Sequence, residues 1–510
     1  MELYKWQKDC LGVWRNHGYR GIIHVVTGAG KTVFAIAAVR ELRKKYPELR
    51  VRIVVPSIPL ARQWLQRFLL EADCEENRPG LFGGDRRDRQ DRPVMVYIIN
   101  SARKELAGSI RRDFSLGRHV LLIADECHHY QSRENRHIFD FLEGEGEKYR
   151  ALYASLGLSA TPFSSGGDEL LRDALGEEIY LYGHGEAVRD GTISPFVVCR
   201  TSVSFLPDEN REYAELTDRI RILLARLLKA YPDLKGLSEH IFMKKITSIA
   251  KESGMDPDNL AAAFLLMTYR RKEISVLANA RLQCCVDLLS VLRTTDRILI
   301  FSERISQAEE LYRILTMTFG KTGIYHSGIS PEGRKATMEA FRDNRIRILV
   351  SCKCLDEGID VPDANIGIVL SGSAVARQRI QRLGRIIRIS RQKDAACLYY
   401  FYIRESSDES SFLPGLEENE SFDMRYYSQE RAFACDLYEY TCGQILDRAG
   451  KSGMPPHTLE ELRSCMTEGL PRADCYLPEE ILDRNIREAG SVHEKNYWRC
   501  MKKIGMERGG

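Results

Sequence analysis

The stretch IIHVVTGAGKTVFAIAAVREL, residues 22–42, joins a short, mainly apolar run to a glycine turn and then to a longer apolar pattern. A short apolar run that ends at glycines is typical of a strand buried on both faces of a sheet. The residues after the turn repeat apolar side chains at the spacing of a helix. The stretch therefore predicts a strand, a tight turn and a helix, which is the repeating unit of a parallel α/β sheet.

Similar apolar runs, separated by helical patterns, occur in two parts of the chain. The runs of the first part are residues 21–26, 51–56, 95–100, 119–125 and 152–160. The runs of the second part are residues 297–302, 321–327, 347–352, 366–371 and 397–403. Buried strands that alternate with helices indicate a parallel sheet covered on both faces. The sequence therefore predicts an α/β fold with two tandem parallel-sheet domains.

The regions between and after these two sets of apolar runs have a different sequence pattern. Residues 212–292 place apolar side chains at three-and-four spacing, which predicts helices. Residues 404–423 are acidic, rich in Ser and broken by Pro414 and Gly415, as in a linker. The predicted domains are a first α/β domain at 1–204, a helical insertion at 205–292, a second α/β domain at 293–404, an acidic linker at 405–423 and a helical accessory domain at 424–510.

The composition excludes several classes of protein. The 75 basic and 72 acidic residues give a formal net charge of +3, so any basic surface for nucleic acid must be local. The 14 cysteines form no C-x-x-C pair, which favours free thiols in a reducing compartment over a zinc ribbon. The chain starts with no apolar signal core and contains no run of about 18 apolar residues. We expect a cytoplasmic protein that binds no membrane.

The glycine turn has the parts of a phosphate-binding loop, although Val25 stands where the strict Walker pattern has glycine. Gly28 and Gly30 let the backbone approach phosphate oxygens, and the first amides of the helix point at the anion. Lys31 supplies a cation for the β- and γ-phosphates, and the Thr32 hydroxyl can ligate Mg²⁺. An ordinary glycine-rich turn is the alternative, but G-K-T directly after a buried strand favours a nucleotide. The predicted nucleotide-binding residues are Thr27, Gly28, Ala29, Gly30, Lys31 and Thr32.

A second apolar strand, in HVLLIADECHH (119–129), ends in two carboxylates. Carboxylates at the carboxyl end of a parallel strand lie on the ligand face of the sheet. Asp125 can there hold Mg²⁺, and Glu126 can orient and polarise the attacking water. Zinc is the competing interpretation, but consecutive side chains at a strand end point in alternating directions. A zinc site would need four diverging side chains to converge, those of Cys127, His128, His129 and His137.

In combination, these motifs resemble those of superfamily 2 helicases, in the DExH-type branch. TGAGKT and DECH are followed by LSATP at 158–162. Four stretches of the second half are similar to its later motifs: ILIFSERISQAEEL (298–311), YHSGISPEGRKATMEAFRDN (325–344), LDEGIDVPD (355–363) and QRLGRIIR (381–388). Within this superfamily, the sequence is similar to the branch that contains XPB-like enzymes, RadD-like enzymes and the motor subunits of restriction systems. The resemblance covers residues 1–404 and implies two RecA-like domains.

The resemblance implies roles for residues that spacing alone does not single out. Gln7 would contact adenine, with Trp6 in the aromatic position beside it. Motif V would contribute Gly358 and Asp360 to the nucleotide site. Motif VI would contribute catalytic residues, namely Gln381, Arg385 and Arg388. An arginine at the γ-phosphate stabilises the charge of phosphoryl transfer, which explains why this motif is dense in arginine.

Two further groups of residues also come from the resemblance. One group would couple the ATP state to strand binding, and it consists of His128, Ser159 and Thr161. In the family, the residue at the position of His128 forms a hydrogen bond to motif VI, which implies Gln381 as its partner here. The other group would contact the nucleic-acid backbone, and it consists of Pro56, Arg62, Ser327 and Arg334. At Cys352 the sequence departs from the family, which commonly has a threonine there.

The resemblance implies an ATP hydrolase that acts as a DNA helicase or translocase, with ATP and Mg²⁺ as its ligands. ATP would bind between the two α/β domains, and closure during hydrolysis would step a single strand along by its phosphates, 3′ to 5′ by analogy. The partner could be a repair, restriction or phage-defence complex with a nuclease on another chain. Two alternatives stay open: an ATP-driven clamp or sensor that recruits a separate effector, and an RNA helicase. Strand displacement on DNA and RNA duplexes separates them.

Overall fold

The structure of the chain is a computed structural model. It describes residues 3–26, 28–70, 78–84, 86–132, 134–142, 145–160, 169–193, 196–252, 259–352, 364–371, 395–406, 408–409, 421–467 and 470–507. These residues divide into two compact units, one formed by the described residues up to 193 and the other by those from 196 onward.

The first unit is built on an eight-stranded sheet. Its strands are β1 (Ile22–Val25), β2 (Arg50–Val55), β3 (Gly80–Gly83), β4 (Arg86–Arg87), β5 (Val94–Ile98), β6 (Val120–Asp125), β7 (Tyr153–Ser159) and β8 (Glu178–Tyr182). Their order is β4-β3-β5-β2-β6-β7-β1-β8, and all neighbours are parallel except β3 and β4. The five apolar runs predicted in this part are confirmed as strands, and all five lie side by side in the order β5-β2-β6-β7-β1.

Helices cover both faces of this sheet. They are α1 (Lys5–Asn16), α2 (Lys31–Lys45), α3 (Ile58–Leu69), α4 (Ile99–Ser115), α5 (Glu169–Leu175) and α6 (His184–Arg189), with short 3-10 helices at Cys127–Gln131, Asn135–Leu142 and Glu145–Leu152. Two apolar clusters fill the space between helices and sheet, one on each face. All residues of β5, β6 and β7 are buried, as expected for parallel strands covered on both sides.

The second unit holds another eight-stranded sheet. Its strands are β9 (Phe196–Val203), β10 (Ile298–Ser302), β11 (Thr322–Tyr325), β12 (Ile348–Cys352), β13 (Ile366–Val369), β14 (Ala396–Ile403), β15 (Ser421–Tyr427) and β16 (Ala432–Ala434). The order is β11-β12-β10-β13-β14-β9-β15-β16, and only β15 and β16 are antiparallel. The five predicted strands of the second series are confirmed, and the fold class of two tandem parallel-sheet domains with added helices is correct.

The helices of the second unit fall into three groups along the chain. They are α7 (Pro207–Ala230), α8 (Glu239–Glu252), α9 (Leu260–Leu277) and α10 (Asn279–Val291), then α11 (Ile305–Phe319) and α12 (Pro331–Arg342), then α13 (Asp436–Lys451), α14 (Pro456–Thr467), α15 (Glu479–Glu488) and α16 (Val492–Glu507), with 3-10 turns at Pro232–Leu234 and Ala473–Tyr476. The predicted helical insertion and helical tail therefore both consist mainly of helix.

The predicted boundary at 204 lies too far along the chain. Strand β9 pairs in parallel with β14 along its whole length and with β15 through residues 198–202, so it belongs to the second sheet. The predicted linker 405–423 likewise ends inside strand β15. The physical reason is that β9 pairs with strands that lie about 200 residues later in the chain. The residues of β9 have no local pattern that identifies so distant a partner.

The helical regions also divide differently from the prediction. Helices α7, α8 and α9 share an apolar cluster of their own, whereas Cys284, Cys285 and Leu288 of α10 pack into the core of the second sheet. The helices of the tail contribute to the same core, for example through Trp498 and Met501. The insertion 205–292 is therefore split at Ala278, and the tail 424–510 is part of the second unit rather than a separate domain.

One stretch in the described part of the chain, Leu260–Val291, is long and apolar enough to cross a membrane by length and composition. Of its most apolar window, 61% is buried inside the protein. The helix axis is interrupted at Ala278, where α9 ends and α10 begins. Burial against the rest of the second unit accounts for the apolar composition.

Candidate active site

The predicted catalytic residues of the first unit lie at one edge of its sheet. The phosphate loop follows β1, the acidic pair ends β6, and Ser159 ends β7. These three strands are neighbours in the order β6-β7-β1 and run in the same direction. The carboxyl ends of parallel strands meet at one edge, where open α/β sheets bind their ligands. The fold thus brings the two motifs together although about 95 residues separate them.

The turn before α2 has the backbone of a phosphate loop. Gly28 and Gly30 have φ angles of +85° and +93°, in the left-handed region that favours glycine. A Cβ atom added to Gly30 would also lie 3.0 Å from Nε2 of Gln7. Helix α2 starts at Lys31, so its first amides face the turn with the positive end of the helix dipole. Thr27 lies outside the described residues.

Lys31 and Glu126 form an ion pair across the site. Nζ of Lys31 lies 3.1 Å from Oε1 of Glu126, and the two side chains are only 12% and 19% exposed. The cation predicted for the phosphates and the carboxylate predicted for the water thus lie side by side. The low exposure limits screening by solvent, so the pair should hold its geometry better than a surface ion pair.

Glu126 has an unusual backbone. Its φ and ψ angles are 48° and 50°, the left-handed helical region, where a residue with a Cβ atom is strained. Glu126 is the residue at which the extended strand β6 changes into the 3-10 helix Cys127–Gln131. Strain of this kind is concentrated at functional sites, because the surrounding structure has to hold it in place.

Asp125 is buried and its two oxygens each accept one hydrogen bond. The indole Nε1 of Trp64 donates to Oδ2 at 2.7 Å, and the amide of Glu126 donates to Oδ1 at 3.0 Å. Burial raises the pKa of Asp125 above its ordinary value, and the neighbouring charge of Glu126 raises this pKa further. The Lys31 ammonium and the two hydrogen bonds act in the opposite direction and favour the ionised carboxylate.

This set of donors fits a magnesium ion. Asp125 and Glu126 place two carboxylates next to one ammonium, so a divalent cation would offset the remaining negative charge. Thr32 is the second residue of α2, and its hydroxyl is the other oxygen predicted to ligate the ion. Carboxylate and hydroxyl oxygens are the hard ligands that Mg²⁺ prefers. The assignment of the ion to Thr32 and Asp125 stays a prediction.

His128 connects the acidic motif to the end of β7. Its Nδ1 lies 3.1 Å from Oγ of Ser159 and 3.5 Å from Oε2 of Glu126. Ser159 is completely buried, so the contact is internal to the first unit. This geometry is compatible with the predicted coupling role of His128 and Ser159, which stays a prediction. Thr161, the third predicted coupling residue, lies outside the described residues.

Cys127 and His137, two other side chains of this stretch, have different surroundings. Cys127 is buried in the apolar core, and burial raises the pKa of its thiol far above the ordinary range. His137 is exposed and pairs with Asp140 at 3.1 Å. Among the described residues, no three His, Cys, Asp or Glu side chains group together in a way that could hold a metal ion. The geometry gives the zinc interpretation no support.

Gln7 is buried, and both the nitrogen and the oxygen of its side-chain amide form hydrogen bonds within the protein. Its Nε2 donates to the carbonyl of Gly30 at 3.0 Å, and its Oε1 accepts from the amide of Tyr4 at 2.9 Å. Trp6 is 2% exposed and stacks on Phe34 and Tyr182, so it is a core residue rather than a free aromatic surface. The adenine contact of Gln7 stays a prediction, and the structure adds a second role as a brace of the phosphate loop.

The two roles of Gln7 make different predictions for Gln7→Ala. Loss of a brace should weaken ATP and GTP binding by similar factors, because the contact is to loop backbone. We expect this result, measured as the dissociation constants of both nucleotides by fluorescence titration. If ATP binding falls while GTP binding is unchanged, the adenine contact is the correct role.

The residues predicted to contact nucleic acid lie near the carboxyl ends of strands. Pro56 follows β2 and is half-buried, and Arg62 is exposed on α3. In the second unit, Ser327 is exposed after β11, and Arg334 is half-buried on α12 with its guanidinium 6.0 Å from the ring centroid of Tyr325. These positions agree with the edge expected for ligands, and the contacts themselves stay predictions.

The remaining predicted site residues lie outside the described residues: Gly358, Asp360, Gln381, Arg385 and Arg388. Conversely, the structure reveals two residues that sequence reasoning missed, Trp64 and Tyr130. The Tyr130 hydroxyl lies 2.7 Å from the carbonyl of Asp125 and 2.9 Å from that of Val54. Both are buried aromatics on helical segments, where the sequence signal is the same as for ordinary core residues.

Comparison with protein families agrees with this site. The family described as the res subunit of type III restriction enzymes matches residues 1–164, which include the phosphate loop and the acidic pair. The helicase conserved C-terminal domain matches residues 280–390. The helicase domain of Hef from Pyrococcus furiosus has a similar fold, with a TM-score of 0.51 and 17% identity over 80% of this chain and 97% of that domain.

Individual relatives extend the match over both units. The DNA 3'-5' translocase XPB2 of Sulfurisphaera tokodaii is 30% identical over 393 residues, which are 76% of this chain and 79% of the relative. The DNA 3'-5' helicase XPB of Mycobacterium tuberculosis is 25% identical, and the match covers 77% of this chain and 59% of that relative. The XPB subunit of transcription and repair factor IIH from Schizosaccharomyces pombe is 23% identical over 85% of this chain, which spans 45% of that longer relative. The chain therefore belongs to the XPB-like family of superfamily 2 helicases and translocases.

Proposed function

We propose that the chain is an ATP-driven DNA translocase. The observation that carries the proposal is the group of Lys31, Asp125 and Glu126 at the carboxyl edge of a parallel sheet, in a chain of the XPB-like family. A phosphate loop with a cation, a carboxylate for a metal ion and a second carboxylate for water are the parts that ATP hydrolysis needs. The relatives named as DNA translocases and helicases supply the substrate class.

The residues of the first unit divide the chemistry among them. The amides of the phosphate loop and Lys31 bind and orient the phosphates, and Glu126 orients the attacking water and accepts its proton. Thr32 and Asp125 would hold Mg²⁺, which would neutralise charge on the β- and γ-phosphates. Gln7 keeps the loop in place through the carbonyl of Gly30. A site with these groups fixed beforehand lowers the barrier without further reorganisation.

Translocation requires that ATP turnover changes the grip on DNA. Contacts such as those of Arg62 and Arg334 are proposed to hold phosphates without reading bases. Binding through phosphates releases counterions, so affinity should fall linearly on a log–log plot as salt rises. The 3′ to 5′ direction is a proposal taken from the names of the relatives.

The test compares three activities of the purified chain. We expect ATPase activity that DNA stimulates, displacement of a third strand from a DNA triplex as a sign of translocation, and weaker stimulation by RNA. Stimulation by DNA without any displacement of triplex or duplex strands would favour the clamp or sensor instead. Displacement of RNA duplexes in preference to DNA would favour the RNA helicase.

Arg388→Ala tests the proposed contribution of motif VI. An arginine at the γ-phosphate stabilises charge that develops in the transition state, so its loss should lower turnover by about 10³-fold and leave ATP binding largely intact. The measurement is the rate at saturating ATP together with the ATP dissociation constant. The control is Arg345→Ala, because Arg345 is exposed and pairs with Asp343. Unchanged turnover with a collapsed ATP affinity would assign Arg388 to nucleotide binding alone.

The cellular setting is part of the proposal. A cytoplasmic motor of this family fits a DNA repair complex, and the factor IIH relative is a repair subunit by name. A restriction or phage-defence complex with a separate nuclease is the other setting. Affinity purification of the chain from its own cells with and without DNA damage or phage infection would distinguish the two.

A further inference from the structure

Trp64 joins the helix that follows β2 to the catalytic carboxylate. It is completely buried on α3, and its indole N–H donates to Oδ2 of Asp125 at 2.7 Å. The same helix carries the exposed Arg62, and Pro56 lies just before it. A buried indole needs an acceptor, and here the acceptor is an ionisable catalytic group rather than a backbone carbonyl.

Tyr130 forms a second connection between the same two strands. Its hydroxyl lies within hydrogen-bond distance of the carbonyls of Val54 in β2 and Asp125 in β6. Tyr130 has no exposed surface. It acts on the backbone, so the ends of β2 and β6 are held together without any use of the Asp125 carboxylate. The indole N–H of Trp64, by contrast, donates to the carboxylate and not to the backbone, which separates the two hydrogen bonds.

The hydrogen bonds fix the orientation of the Asp125 carboxyl group. One oxygen is held by Trp64 and the other by the amide of Glu126, so the plane of the group is set from both sides. Each oxygen keeps a lone pair for a metal ion or a water. Without the indole N–H, the carboxylate could rotate about χ2, and one buried oxygen would lose its partner.

We propose that Trp64 is a positioning residue that orients Asp125 for Mg²⁺ and ties it to the α3 segment. This inference rests on the proposed function as a magnesium-dependent ATPase. Residues that orient the ligands of a metal typically contribute 10–100-fold to metal affinity or activity. A purely structural role is the alternative, in which Trp64 stabilises the fold and has no selective effect on magnesium.

The test is Trp64→Phe, with Trp14→Phe as the matched control. Trp14 is also completely buried in the first unit, and its indole donates to the carbonyl of Ser155 at 2.9 Å, away from the acidic pair. Both variants lose one buried indole hydrogen bond and the same volume. The measurement is the affinity of a fluorescent, non-hydrolysable ATP analogue, titrated with Mg²⁺ and in EDTA.

We expect Trp64→Phe to weaken binding in Mg²⁺ by about 10-fold and to leave binding in EDTA unchanged. Trp14→Phe should have neither effect. In an Asp125→Ala background, Trp64→Phe should cause no further loss, because its effect passes through the carboxylate. Equal effects of the two tryptophan variants, or a loss that persists without Asp125, would overturn the inference.

Two further measurements keep these outcomes distinct. If Trp64→Phe does not fold, benzothienylalanine at position 64 keeps the shape of indole and removes only the N–H, and the same selective loss is expected. If the wild-type chain itself binds the analogue equally well with Mg²⁺ and in EDTA, the proposed magnesium-dependent ATPase is wrong. If wild-type binding depends on Mg²⁺ and the chain with benzothienylalanine at position 64 shows the same dependence, only the proposed role of Trp64 is wrong.

Discussion

Replacing Lys31 with Ala should abolish DNA-stimulated ATP hydrolysis in a chain that remains folded. The ammonium lies 3.1 Å from Oε1 of Glu126, and Lys31 is the first residue of α2. Its removal takes away the predicted contact to the β- and γ-phosphates and leaves the buried Asp125 and the partly buried Glu126 with less compensating charge. Loss of one fixed donor at developing charge lowers turnover by about 10²–10³-fold.

The control for this variant lies on the same helix. Lys44 is exposed in the last turn of α2, so Lys44→Ala changes the same charge without touching the site. Turnover is measured as phosphate release with and without single-stranded DNA, and folding as the thermal unfolding temperature. Normal turnover of a folded Lys31→Ala chain would remove the basis for the ATPase assignment.

Glu126→Gln should separate nucleotide binding from hydrolysis. Glutamine keeps the size of the side chain and removes the charge that accepts the proton of the attacking water. Loss of a general base lowers the rate by about 10²–10⁴-fold. ATP should still bind, because the phosphate loop, Lys31 and Asp125 are unchanged. We therefore expect a chain that retains ATP and DNA in a stable complex without turnover, measured by rapid-quench hydrolysis and nucleotide filter binding.

Glu134→Gln is a matched control for the loss of charge. Glu134 is 81% exposed, pairs with Arg103, and follows the acidic motif by only a few residues. Its substitution should leave turnover unchanged. A Glu126→Gln chain that hydrolyses ATP at the wild-type rate would show that another group positions the water, and a chain that loses ATP binding would place Glu126 in the binding step.

The sequence was sufficient for the parts of the fold that local patterns specify. Buried parallel strands are mainly apolar runs, so β1, β2 and β6 were predictable from their own residues. Strand β9 was not among the predicted apolar runs, since it contains Arg200, Thr201 and Ser202, and its partners β14 and β15 follow about 200 residues later. Periodicity identifies that a segment is a strand and contains no information about the sheet to which it belongs.

The site shows the same division. The phosphate loop and the acidic pair were predictable because few residues can replace glycine in a tight turn, lysine at a phosphate or a carboxylate at a metal ion. Gln7 was identified, but its hydrogen bond to the carbonyl of Gly30 was not, because this contact joins helix α1 to the phosphate loop. Trp64 carried no signal at all, since the pattern of a buried tryptophan on an amphipathic helix is the same whatever its N–H meets.

The left-handed backbone of Glu126 implies a conflict between durability and turnover. A residue with a Cβ atom in this region destabilises the folded chain by about 1–2 kcal/mol, and Gly or Asn would adopt the same angles more easily. Selection for heat resistance alone would replace the glutamate, whereas selection for hydrolysis keeps it. An XPB-like chain that has ceased to hydrolyse ATP is free of this constraint.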